Sequence, residues 1–339
     1  MKKGIVLVAN QNSQLYCENL VYSIRKSGCT LPIRLIHFGG KKVDSITLLN
    51  EVEFLTVEDF PDEAIAFINK LRSVLTDCPL GFLYRFLAWF SDWDQFIYSD
   101  NDIVALMNWE RLFNFTEGYD LVHADEEYTT QGAFNYFLPD KIEEIFGKGS
   151  LSTAITAGHI LIKKSPKMIK DITNAIDWFK EHPEIPRKHD QSLLHVAALL
   201  GKWNTLNLCK SPHNWLSSWS GDYSNSLHLV HAIQGSYVQK TVSYKSWLSS
   251  LSNIAKQEIV EQDRVLLFNT QISHLHYSGR DGIGNEAIDD FMFSSQSSKE
   301  RMTAFAKFKI IDFFYLTFAK RQFMRFKRKL KKLVKIRNI

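Results

Sequence analysis

Cysteine is scarce: Cys17, Cys29, Cys78 and Cys209 are scattered over 339 residues with no CxxC pair. That argues against a structural zinc site or a disulfide scaffold and fits a reducing compartment. Proline stops at Pro212, so no proline marks a later domain boundary. Internal repeats and low-complexity linkers are lacking. No apolar run reaches the ~18–20 residues of a membrane span, and Asp312 interrupts the best candidate near 310–319. The segment Ala9–Gln14 carries neither glycine nor cation, so it cannot be a glycine-rich basic phosphate loop.

A net positive charge is also lacking, except in one place. The formal net charge is +4, yet residues 299–339 hold 14 Lys and Arg against Glu300 and Asp312, a net of +12. The preceding 298 residues therefore carry −8. A nucleic-acid binder needs cations spread over its binding face, so no nucleic-acid partner is expected. With 45% hydrophobic and 23% charged residues, the chain can build a core. Its length allows one large α/β domain or two smaller ones.

The first 125 residues alternate strand-like and helix-like segments. Lys2-Lys3 followed by Gly4–Ala9 has the outline of a signal peptide, but the apolar run is short and meets Asn10-Gln11-Asn12. It reads as a buried strand, and the protein as cytoplasmic. A helix over 14–27 is stopped by Gly28, and strands follow over Ile33–Phe38 and, more weakly, Val52–Val57. A helix is expected over 62–75 and an apolar one over 81–90, then strands at Gln95–Tyr98 and Tyr119–His123. Repeated βα units imply a mostly parallel, doubly wound sheet flanked by helices, with ligands at the carboxyl ends of its strands. Later, Ala157–Ile162 reads as a strand, Pro166–Lys180 and Gln191–Leu200 as helices, and Arg264–Phe268 and Ile272–His276 as short strands.

Asp100-Asn101-Asp102 directly follows the apolar strand Phe96-Ile97-Tyr98. Two carboxylates so placed can converge on Mg²⁺ or Mn²⁺, which take oxygen ligands and leave positions for substrate phosphates. An isolated DxD is equally readable as a solvated acidic turn. His274 and His276 alternate on a short strand, so both point to one face, and Gly279 follows in a turn. One imidazole added to two carboxylates makes a Mn²⁺ site. Trp203, Trp215, Trp219 and Tyr223 lie in a loop-rich stretch and read as either a sugar-stacking platform or core packing.

These residues resemble the metal-dependent GT-A glycosyltransferases, most closely glycosyltransferase family 8 and its bacterial polysaccharide relatives. The likeness spans roughly residues 4–282. It rests on Tyr84-Arg85, Asp100-Asn101-Asp102, Thr156-Ala157-Gly158, Asp190-Gln191 and His276-Tyr277-Ser278-Gly279, in the family's order. The resemblance implies a GT-A domain over 1–285, with a nucleotide-binding half over 1–125 and an acceptor half over 126–285. It implies that Asp100, Asp102 and His276 hold the metal against the diphosphate of a nucleotide sugar, of UDP type. Ala9, Asn10 and Tyr16 would meet the base, and Arg85 the diphosphate or donor sugar. Asn101, Ala157, Gly158, Gly279 and Arg280 would complete the donor site, with Asp190 and Gln191 beside the anomeric carbon of a retaining transfer. Asp190 is equally readable as a cap of the helix after it. The chain departs from the family at Ala9-Asn10-Gln11, where an acid is usual, at Thr156 in place of Asn, and at Gly282 in place of a late lysine.

Residues 286–339 are expected to form a helical tail. Lys320 to Arg337 contains ten cations and no acid. On a helix, Phe323, Phe326, Leu330, Leu333 and Val334 share one face, while Arg321, Arg325, Arg328, Lys332 and Lys335 share another. That pattern suits an anionic membrane interface on the inner face of the cell membrane. The acceptor expected with it is a lipid-linked glycan, of lipopolysaccharide or capsule type. Alternatives are a sugar nucleotidyltransferase, or a membrane-docked scaffold that kept the fold and lost catalysis.

Overall fold

The strand β1 (Lys3–Ala9) is wholly buried from Gly4 to Ala9, as a branched apolar run lined by neighbours on both sides should be. In the computed structural model, residues 1–76, 78–105, 107–125, 133–215, 265–267 and 270–276 are described, and all fall within one compact unit. Helix α1 (Gln14–Lys26) ends at Gly28, whose φ of +82° is the left-handed conformation that glycine adopts without strain. Then come β2 (Ile33–His37), α2 (Ile46–Glu51), β3 (Glu53–Leu55), α3 (Asp62–Val74) and α4 (Leu80–Tyr84). They are followed by β4 (Gln95–Ser99), β5 (Ile103–Ala105), β6 (Leu121–His123), α5 (Pro139–Phe146) and β7 (His159–Lys163). The chain continues through α6 (Met168–Glu181), α7 (Asp190–Gly201), β8 (Thr205–Asn207), β9 (Val265–Leu267), β10 (Thr270–Ile272) and β11 (His274–His276).

Seven strands form one sheet in the order β3-β2-β1-β4-β7-β6-β8. Every pairing is parallel except those of β7, which runs against both β4 and β6. Side chains alternate across it as a pleated strand requires. Ile5, Leu7, Ala9 and Ile97 pack with α1, while Val6, Val8, Phe96 and Tyr98 pack with α3, α6 and α7. This is the α/β architecture expected from the sequence, with helices on both faces.

Two local expectations need correction. The apolar segment 81–90 is not one helix: α4 gives way to a 3-10 stretch over Arg85–Phe90. Residues 85–89 are all buried, Arg85 among them, so the segment threads the interior instead of showing one face to water. The strand expected over 272–276 is interrupted at Ser273, and its halves differ in partner: β10 pairs with β9, and β11 with β5.

Candidate functional site

From β1 the chain builds outward through β2 to β3, then returns to place β4 on the other side of β1. The strand order therefore reverses between β1 and β4, and such a switch point opens a crevice beyond the carboxyl ends of the strands. Ala9 and Asn10 end β1, and Asp100-Asn101-Asp102 follow β4, so both expected segments lie at that crevice. The Asn101 amide joins them by donating to the carbonyl of Val8 at 2.7 Å. Asn10 shapes the turn into α1: its side-chain oxygen accepts from the Asn12 N–H at 3.0 Å. Tyr16 is half-buried on α1.

Asp100, Asp102 and His276 each bring one ligand atom into a cluster whose members all lie within 4.8 Å of one another. His276 Nε2 is 3.4 Å from Asp102 Oδ1 and 4.0 Å from Asp100 Oδ2. The imidazole arrives because β11 pairs antiparallel with β5, His276 opposite Ile103, one residue beyond Asp102. Burial raises the Asp100 carboxyl against the pull of Arg85, and the charge of Asp102 raises it further. Burial alone would lower His276, but the charge and hydrogen bond of Asp102, with those of Asp125, push it up to about 10. Both shifts express one need, a positive charge between the carboxylates.

The donor set fits a divalent cation. Two carboxylate oxygens and one imidazole nitrogen suit Mn²⁺ or Mg²⁺. A Cβ on Gly158 would sit 2.3 Å from His276 Cε1 and 3.1 Å from Asp100 Oδ2, so the cluster closes directly over that backbone.

Arg85 lies beneath the acids, 2% exposed. Its guanidinium reaches Asp100 at 3.0 Å, Asp190 at 2.7 Å and the Ala157 carbonyl at 2.7 Å, with Tyr98 against its face at 4.4 Å. The Tyr98 hydroxyl also donates to Asp100 at 2.6 Å. Arg85 thus holds the acids in place from within the core. Asp190 is the first residue of α7 and His189 its cap, and no side-chain capping bond forms; the carboxylate pairs with Arg85 instead. Gln191 accepts from the Ala157 N–H at 3.1 Å and donates to Asn135 at 2.9 Å. Ala157, Gly158, Asp190 and Gln191 are thereby drawn together.

Asp125 is the residue that sequence reasoning missed. It is fully buried two residues past β6, and its Oδ2 lies 3.0 Å from His274 Nε2 and 3.4 Å from His276 Nδ1. Burial would raise its pKa, but the two imidazoles hold it well below the usual carboxylate range. Its signal was position, an acid at the carboxyl end of an expected strand. Behind it, His159 stacks on His274 at 4.3 Å, and Trp109 packs edge-on against His159 at 4.4 Å.

Of the two readings of the tryptophans, core packing holds for Trp203 and Trp215. Trp203 is buried and donates to Asp171 at 2.8 Å, and Trp215 is buried against Phe115. Both are core. Trp219, Tyr223, Gly279, Arg280 and the tail 286–339 lie outside the described residues. Among the described residues, no helix is long and apolar enough to cross a membrane.

Residues 2–124 match a protein family described as "Mannosyltransferase putative". No curated protein matches the chain. Among solved structures it is similar to the bifunctional glycosyltransferase WbbM, at 11% identity over 89% of this chain, with a TM-score of 0.48. It is also similar to the galactosyltransferase LgtC, solved with donor and acceptor sugar analogues, at 14% identity over 88% of this chain and 98% of that one, TM-score 0.46. A third is GlyE of Streptococcus pneumoniae TIGR4, at 14% identity over 91% of this chain and 64% of that one, TM-score 0.44. The chain spans about half the length of WbbM, 51%. The matched residues include Asp100-Asn101-Asp102, and the class that the family's description names is a sugar transferase.

Proposed function

We propose that the chain is a divalent-metal-dependent glycosyltransferase that moves a sugar from a UDP-type nucleotide sugar to a glycan acceptor with retention of configuration. The observation that carries this reading is the convergence of Asp100, Asp102 and His276 at the switch point beside Ala9 and Asn10. Cleavage of a glycosyl–phosphate bond builds negative charge on the departing diphosphate, and a bound cation would offset that charge. The protein's part is to hold Asp100 through Arg85 and Tyr98, and to keep the Gly158 backbone bare where the diphosphate and sugar approach. Asp190 and Gln191, anchored to Arg85 and Ala157, are the polar groups assigned to the anomeric carbon.

The basic tail supports a second element of the proposal. The net charge of +12 over residues 299–339 and the opposed Phe/Leu face suit docking on an anionic membrane, at the inner face of the cell membrane. A lipid-linked acceptor of lipopolysaccharide or capsule type would be met there.

The test is thermal stabilisation by UDP with Mn²⁺, since a ligand that binds the folded state raises stability by mass action. Stabilisation should vanish on chelation and in Asp102→Ala. Unchanged melting of the wild type with UDP and Mn²⁺ would sink the proposal.

A further inference from the structure

The proposed metal ligand His276 presents two different nitrogens to two different surroundings. Nε2 faces Asp100 and Asp102, while Nδ1 faces Asp125 Oδ2 at 3.4 Å. A ligating imidazole must offer a lone pair, so its proton has to sit on the other nitrogen and be accepted there. Among the described residues, Asp125 is the acid that meets Nδ1, and it is 0% exposed. Its position does not depend on His276 alone. The same Oδ2 takes His274 Nε2 at 3.0 Å, and His274 Nδ1 is held by Ser273 Oγ at 2.5 Å. Trp109 then fastens Ser273 by donating its indole N–H to the Ser273 carbonyl at 3.3 Å. The carboxylate is therefore fixed before a cation arrives.

We infer that Asp125 is a positioning residue: it accepts the Nδ1–H of His276 and so aims the Nε2 lone pair at the cation held with Asp100 and Asp102. The inference rests on the metal reading above. A carboxylate behind a ligating histidine fixes both tautomer and ring angle, and losing such a partner weakens metal binding about 10–100-fold.

The test uses the full-length protein with UDP and Mn²⁺, read by electron paramagnetic resonance. The wild type should bind Mn²⁺ and show nitrogen modulation from a coordinated imidazole. Asp125→Ala should bind about 10–100-fold more weakly and lose the nitrogen signal, while His274→Gln, which removes the other partner of the same oxygen, should keep it. A purely structural Asp125 would lower the melting temperature and leave the nitrogen signal intact, which overturns the inference. A second measurement needs no variant. With Mg²⁺ and UDP, ¹⁵N NMR of the wild type should show His276 protonated at Nδ1 and bare at Nε2; the reverse tautomer overturns the inference. If the wild type binds no Mn²⁺, the metal reading itself fails. If it binds and Asp125→Ala binds equally well, this inference alone fails.

Discussion

Asp100 donates its backbone N–H to the carbonyl of Gly158 across 2.7 Å. That bond ties the end of β4 to the entry of the reversed strand β7, and it leaves no room for a side chain at 158. In Gly158→Ala the new Cβ must displace His276, which would stand only 2.3 Å away. Overpacking of this kind costs about 1–3 kcal/mol. Stabilisation by UDP and Mn²⁺ should fall sharply while the far-ultraviolet circular dichroism stays unchanged.

Arg85 joins Asp100 to Asp190 from inside the core. Replacing it by Met leaves two acids facing a buried space without their cation, a loss of about 3–5 kcal/mol. Arg85→Lys keeps the charge but cannot span both carboxylates. Urea denaturation should therefore rank the wild type above Arg85→Lys, and Arg85→Lys above Arg85→Met.

Trp203 belongs to the core, and its indole N–H satisfies Asp171. Trp203→Phe should destabilise the protein by about 1–3 kcal/mol, because a buried acceptor loses its donor. Acceptor affinity and UDP binding should be unaffected. A weakened acceptor with unchanged urea midpoint would restore the platform reading.

His195 is buried on α7, where its ring contacts the Tyr136 hydroxyl at 2.6 Å and the Ser150 carbonyl at 3.1 Å. Burial pushes its pKa down to about 4 from 6.5. Between those values the unfolded chain binds a proton that the folded chain refuses, so stability falls as pH drops from 6.5 towards 4. The loss is on the order of 3 kcal/mol. In His195→Gln the urea midpoint should fall less steeply over that interval, although the variant starts lower at pH 7.

For the tail, replacing Arg321, Arg325, Arg328, Lys332 and Lys335 with Gln should release the protein from anionic liposomes, at roughly 1 kcal/mol per cation. Neutral liposomes serve as the reference. Unchanged sedimentation of the variant would refute the membrane proposal.

Much of the β-strand framework was legible because buried parallel strands are written as short, mostly apolar runs, as in the expected strands Gly4–Ala9, Ile33–Phe38 and Gln95–Tyr98. The DxD and His276 were legible as residue types at strand ends. Asp125 was not, since its meaning comes from two histidines about 150 residues away. The inward turn of Arg85 was hidden for a like reason: the family resemblance points it at a diphosphate or donor sugar, and the acids that hold it in the core are brought to it only by the fold. The reversal of β7 left no mark either, because a buried strand has the same composition in either direction.

The pairing of β11 with β5 joins residues 274–276 to residues 103–105. Such a contact closes a loop of about 170 residues, and closures that long are made late. During synthesis the acids of the site are in place long before their imidazole exists. The newborn chain can thus shape its N-terminal strands first, and it gains the third member of the cluster only after residue 276 has been made.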